Sequence, residues 1–364
     1  MLIKSEKFNG RQAWRLSDGR MDLVVLAGGG HIAGVFLKDG PKINPYWKPN
    51  WRTMEPWQYR SAMAGRYGAK LLAAIFGHNV CLGAFGGPSP DEARAGGPGC
   101  HGEAPIVRWR VLNKQCSSRR LVFGYGCELP VARMALRRTL TMQAESGVVG
   151  VREVVENLAP CDVPFTMCQH VSFSAPFVEP GVTVFDMAGG PAHTFPEVFG
   201  QPQRLQPDQA FTWPAGPGVK NRVDLRTMGR GRNSDFYAVL MNPRRAQVWF
   251  SAMHPGQGLL VAYAWRPADY PWTGVWEENH ARTAPPWSGR ELTRGMEFAN
   301  SPFPLSLRDA VNLGKFQGHP TFRWLPARGR VTFEYSILAR TVDHGARGVA
   351  DVRVDGADAA VKLV

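Results

Sequence analysis

Residues 138–173 read RTLTMQAESGVVGVREVVENLAPCDVPFTMCQHVSF, three apolar, β-branched runs parted by turn residues with no helical stretch between them. The runs 138–144 and 148–156 flank Glu145-Ser146-Gly147, a hairpin turn, and a third run covers 164–173. Strands that follow strands favour an antiparallel sandwich over a parallel α/β sheet. The same rhythm extends outward on both sides. Residues 22–27 lead through Gly28-Gly29-Gly30 into 31–37 and the turn Lys38-Asp39-Gly40; later runs lie at 121–125, 236–241, 247–252, 259–265, 321–324 and 330–338. The expected class is all-β, with few short helices and one domain over residues 1–364. One helix is predicted at 61–76, where Leu71, Leu72 and Ile75 form a small apolar face interrupted by Gly65 and Gly68. Residues 86–99, rich in Gly and Pro, read as a loop that ends at Cys100-His101-Gly102-Glu103.

Composition narrows the class further. The 364 residues include 40 Gly and 29 Pro, which argues against long helical bundles, while 44% hydrophobic residues with 12 Trp and 19 Phe supply enough apolar surface for a core. A net charge of +13 raises nucleic acid as a partner. Yet Arg119-Arg120, Arg137-Arg138 and Arg244-Arg245 are scattered rather than gathered in a block, so a solvated basic surface, or attraction of an anionic small molecule, is the expected meaning. No run approaches the ~18 apolar residues of a membrane span, and the charged N-terminal segment lacks the apolar centre of a secretory signal. A cytoplasmic protein is expected. The cysteines at 81, 100, 116, 127, 161 and 168 contain no Cys-x-x-Cys pair and read as reduced, mostly packing thiols.

Several motifs fail on context. Gly28-Gly29-Gly30-His31-Ile32-Ala33 satisfies a dinucleotide fingerprint, but a β-like run follows where a helix N-terminus is needed. Walker A, His-Glu-x-x-His and Gly-x-Ser-x-Gly sequences do not occur, and the nine histidines show no compact ligand spacing, so no metal is assigned. Three polar groups stand at the ends of apolar runs or beside glycine: His101, His170 and Glu297. Two imidazoles and a carboxylate can supply an acid, a polarising donor and a base near neutral pH. Each also has a structural reading, His101 as a turn histidine and His170 as the cap of a buried strand. For Glu297 the neighbours Glu277, Glu278 and Glu291 offer alternatives.

The order of these groups resembles the galactose mutarotase-like (aldose 1-epimerase) superfamily. The resemblance is carried by His101-Gly102 with Trp109, by Glu156-Asn157-Leu158-Ala159-Pro160, by Gln169-His170-Val171-Ser172-Phe173 and by Met296-Glu297-Phe298-Ala299-Asn300-Ser301, with Gly29-Gly30-His31-Ile32-Ala33-Gly34 similar to the family's first hairpin. It implies a β-supersandwich and the interconversion of sugar anomers without a cofactor. In that scheme Glu297 is the base, His170 the acid at the ring oxygen, and His101 a stabilising donor. Trp276 and Trp287 are expected to wall the sugar. Where the family commonly places an Arg shortly after its His-Gly pair, this chain has Glu103-Ala104-Pro105, with Arg108 the nearest guanidinium. That departure adds Arg108, Glu103 and His78 as candidate substrate-binding groups, and nothing in the sequence ranks Asp235, Asp269 or Arg282. The expected partner is a small sugar, with an acidic or phosphorylated one suggested by the charge. Rival readings are a non-catalytic carbohydrate-binding protein and an oligosaccharide lyase or hydrolase on the same scaffold.

Overall fold

The hairpin at Glu145-Ser146-Gly147 joins strands Met134–Gln143 and Val148–Asn157 in the computed structural model, which describes residues 1–364. Glu145 and Gly147 turn at φ of 58° and 67°, the left-handed region a tight antiparallel connection uses. Alternation then sorts the side chains: Leu136, Leu140 and Met142 pair with Val155, Val151 and Val149, and each of the six is at most 3% exposed. These two strands belong to an antiparallel sheet of eight strands running from Val184–Met187 at one edge to Arg110–Cys116 at the other.

A larger sheet of 14 strands provides the second layer. Its centre is built from His78–Gly83, Val163–Ser174, Leu292–Ala299, Trp272–Asn279 and Asn233–Met241, hydrogen-bonded in that order. Side chains of both sheets, among them Leu136, Val151, Met167, Val171 and Phe298, merge in one cluster of 55 buried residues. The other face of the larger sheet is covered too. There Trp272, Trp276 and Phe236 meet Trp47, Ile75, Phe85, Trp287 and Phe303 from the connecting segments. Strands covered on both sides lose polar–apolar alternation, and Asn233–Met241 and Trp272–Asn279 are buried throughout.

Several charged residues inside these layers are paired. Glu277 contacts Arg294 at 3.2 Å and Arg204 at 3.0 Å, and Arg138 meets Glu153 at 2.5 Å. From Glu153 a buried chain continues between the sheets: Gln169 Nε2 donates to Glu153 Oε2 (2.6 Å), His78 Nε2 lies 3.0 Å from Gln169 Oε1, and Tyr263 Oη lies 3.2 Å from His78 Nδ1. Leaving one member unpaired costs more than the net gain of any single bond.

Several sequence expectations need correction. The helix at 61–76 is broken into a 3-10 turn, Ser61–Met63, and two short helices, Ala64–Tyr67 and Lys70–Ala74, because Gly68 takes φ 69° between them. The 86–99 loop contains a helix, Pro90–Arg94, started by a capping box of Ser89 and Glu92. All six cysteines are free, but Cys100, Cys116 and Cys161 are exposed, so only part of the set packs. The run 321–324 is a short strand at Arg323–Leu325, and a C-terminal hairpin, Val349–Asp355 with Asp358–Leu363, was not anticipated. No helix is long and apolar enough to cross a membrane.

Burial holds His31 and His78 well below the ordinary imidazole value of 6.5, with Arg138 adding to the effect on both and Arg11 to that on His31. The unfolded chain therefore takes up protons below pH 6.5 that the folded protein refuses. The stability this neutral state confers is complete above pH 6.5 and declines as pH falls below it, at up to about 1.4 kcal/mol per pH unit for each histidine. Thermal melts between about pH 8 and about pH 5 are expected to show a falling Tm below 6.5, with a shallower fall in His78→Gln. An unchanged slope in that variant would contradict the assignment.

Candidate active site

Cross-strand register assembles the site. In the pairing of Val163–Ser174 with Leu292–Ala299, His170 sits directly opposite Glu297, and the neighbouring strand places Gly274 opposite Glu297 in turn. Because side chains alternate along a strand, Cys168, His170 and Ser172 share one face, with Glu297, Gly274 and Trp276 beside them. His170 Nε2 lies 3.2 Å from Glu297 Oε1, and the two side chains are 6% and 2% exposed. Ser172 Oγ lies 3.0 Å from His170 Nδ1, which fixes the ring so that Nε2 faces the carboxylate. Glycine at 295 leaves room for the carboxylate where it lies: a Cβ there would stand 2.4 Å from Glu297 Oε1, which would have to shift.

His101 arrives from the 86–102 segment. Gly102, at φ 71°, passes so close to the strand His78–Gly83 that a Cβ would lie 2.0 Å from the Leu82 carbonyl oxygen. That approach, marked by a bridge between Leu82 and Gly102, brings the His101 ring to 4.7 Å from the His170 ring, centroid to centroid. His101, His170 and Glu297 therefore converge. All three line a cavity of about 530 Å³ walled by Trp47, Trp276, Trp287, Phe85, Phe199 and Phe236. Trp47 and Trp287 stack at 5.9 Å, with Trp276 edge-on to both.

The electrostatics follow from burial. Desolvation pushes the Glu297 carboxyl well above its ordinary 4.5, against a smaller lowering by His101 and Arg282. Desolvation also holds His170 well below 6.5, helped by His101. For His101 burial again opposes the charge, but charge interactions and hydrogen bonds with Cys100 and Cys81 outweigh that and raise it. Four buried polar atoms stay without a partner on this face: Glu297 Oε1, at contact distance from His170 but off the hydrogen-bonding direction, His101 Nδ1, Asn79 Nδ2 and Trp276 Nε1. Such orphans are costly unless something else satisfies them.

Three expected substrate-binding groups lie elsewhere. His78 sits on the opposite face of its strand from the cavity, bonded to Gln169 and Tyr263; alternation puts Asn79, opposite His170, on the site's face instead. Glu103 is buried with its carboxylate accepting the N–H groups of Val131 and Ala132, so it anchors the His101 segment. Arg108 lies with its guanidinium 3.8 Å over the Trp57 ring, outside the cavity lining. Asp235 is likewise engaged, by the backbone of Arg204 and Leu205. The guanidinium in the cavity wall is that of Arg282, and Trp47, Phe199 and Lys70 also line it. Of these Arg282 alone was considered from sequence, unranked; the others have no motif to announce them.

No family model and no curated protein matches this sequence. Solved structures do match. A Klebsiella pneumoniae protein described as a candidate aldose 1-epimerase superposes with a TM-score of 0.68 at 12% identity, covering 94% of this chain and 84% of its own. A galactose mutarotase-like protein from Clostridium acetobutylicum gives 0.61 at 12% identity, covering 94% and 99%. At such identities the likeness concerns architecture, and the architecture agrees with the sheets described above: the chain has the galactose mutarotase-like β-sandwich fold.

Proposed function

We propose that this protein is an aldose 1-epimerase-like isomerase that interconverts sugar anomers by opening and reclosing the ring. The observation that carries the reading is the His170–Glu297 contact of 3.2 Å at the base of an aromatic cavity, with one carboxylate oxygen left unpaired. The pair holds one proton. Burial favours the form in which Glu297 is a carboxylic acid and His170 a neutral imidazole; the alternative form is carboxylate and imidazolium. From the latter, Glu297 takes the anomeric hydroxyl proton while His170 donates to the ring oxygen, and the C1–O5 bond breaks to give the aldehyde. Rotation about C1–C2 presents the other carbonyl face. Reclosure reverses both transfers, so the pair ends as it began. His101, whose protonated form Cys100 and Cys81 favour, supplies a donor to charge developing on the ring oxygen. The tryptophan walls cover the apolar face of a pyranose, and Trp276 Nε1 offers a free donor to a hydroxyl.

Exchange spectroscopy by NMR on equilibrated anomers of glucose, galactose and sugar acids measures the reaction directly. Acceleration over buffer is expected for at least one sugar, and Glu297→Gln is expected to lower it by about 10²–10⁴. Gly295→Ala, which displaces the carboxylate rather than removing it, should approach the same loss. Binding with no acceleration for any sugar would mark a carbohydrate-binding protein, and unsaturated or shortened products a lyase or hydrolase.

Two pH effects follow. The pair accepts a second proton only below the ordinary imidazole value of 6.5, so the acid limb of the rate should lie below pH 6.5. An acid limb above 6.5 would contradict this. For stability, a carboxyl raised on folding contributes fully below pH 4.5, and that contribution is lost as pH rises through the folded value. Glu297→Gln, which carries no charge to desolvate, is therefore expected to melt higher than the parent at about pH 9. A lower Tm there would refute the burial argument.

A further inference from the structure

Arg282 is held in a way the ring-opening chemistry does not explain. It follows the strand Trp272–Asn279 through a turn in which His280 takes φ 54°. Buried Glu278 organises that turn: its Oε1 accepts the N–H groups of both Ala281 and Arg282, at 2.7 and 2.8 Å, and its Oε2 lies 3.3 Å from Arg282 Nε. The guanidinium is then laid against aromatic rings, 4.9 Å from the Trp287 centroid, 5.4 Å from Trp276 and 5.8 Å from Phe199. These anchors use the backbone, Nε and the faces of the group. Nη1 and Nη2 make no hydrogen bond to the protein, although the side chain is only 35% exposed and lines the cavity.

A partly desolvated guanidinium with its fork unused is suited to a bidentate oxyanion, which it recognises by geometry as well as charge. The other groups on the cavity that carry or favour charge are Lys70, His101, whose proton affinity is raised and which lies against His170, and Glu297. Glu278 offsets part of the charge on Arg282 but reaches only Nε. Cation and catalytic carboxylate thus share one cavity of about 530 Å³, a volume within the roughly 300–1,000 Å³ of ordinary small-ligand sites. A neutral sugar would leave the Nη donors without partners on displacing water, whereas an anionic substituent would satisfy them.

We propose that Arg282 is a specificity-determining residue that selects a sugar bearing an oxyanion, a carboxylate or a phosphate, by receiving that group on Nη1 and Nη2 while the anomeric centre lies over His170 and Glu297. This rests on the isomerase reading of the same cavity, so its test includes a readout independent of turnover. Tryptophan fluorescence supplies one, since Trp276 and Trp287 touch Arg282. Glucose, glucuronate, glucose 6-phosphate and inorganic phosphate are titrated into the full-length protein at low salt, into Arg282→Gln and into Arg282→Lys, and anomer exchange is followed alongside.

The parent protein is expected to bind at least one anionic sugar about tenfold or more tightly than glucose. Arg282→Gln should reduce that ratio to about 1–2, and Arg282→Lys, which keeps the charge but not the fork, should retain part of it. Preference between glucuronate and glucose 6-phosphate identifies the anion. Equal affinity for glucose and both anionic sugars, or an equal loss for all ligands in Arg282→Gln, overturns the proposal. So does inorganic phosphate binding as tightly as glucose 6-phosphate, since the sugar would then contribute nothing. Arg282-dependent binding without anomer exchange upholds the anion site and defeats the isomerase reading; anomer exchange with no Arg282-dependent preference does the reverse.

Discussion

A carboxylate side chain, Glu297, is kept almost out of water by the register of two neighbouring strands and has only an imidazole at contact distance from Oε1. Much of the surrounding structure serves that arrangement. Gly295 clears the space its oxygen occupies, Gly102 lets the His101 segment come close, and Ser172 orients the His170 ring. The desolvation that makes Glu297 costly to bury is also what raises its proton affinity. Burial moves the proton affinities of the carboxyl and the imidazole in opposite directions, up for Glu297 and down for His170.

Such a pair needs a rigid support. The strand that carries His170 on one face carries Gln169 on the other, inside a hydrogen-bonded chain that runs from Arg138 and Glu153 through His78 to Tyr263. A one-residue slip would exchange the faces, placing Gln169 in the cavity and His170 in the core. Polar groups between the sheets thus resist the register error that would destroy the site. Their cost is a protein made sensitive to acid by neutral buried histidines.

Much of the architecture was legible in the sequence, and the reasons differ by region. Strands of the smaller sheet announce themselves because alternation survives there, as in the Met134–Gln143 and Val148–Asn157 hairpin. The strands Trp272–Asn279 and Leu292–Ala299 do not, since both faces are covered and their charges pair inside the protein. His101, His170 and Glu297 could be picked out by order and neighbours, but their convergence depends on register, which no local pattern encodes. His78 was misplaced for the same reason: it and Asn79 are equally plausible until the face of the strand is known. Arg282 becomes visible only once Glu278 and the tryptophans are seen to hold it.

The central claim is spatial, and a crystal structure of the protein soaked with a slowly reacting or excess sugar tests it most directly. The account predicts a pyranose against Trp276 and Trp287 with its anomeric hydroxyl within hydrogen-bonding distance of Glu297 and its ring oxygen toward His170 Nε2. A sugar bound in this cavity with C1 turned away from both groups, or bound only outside it, would contradict the account.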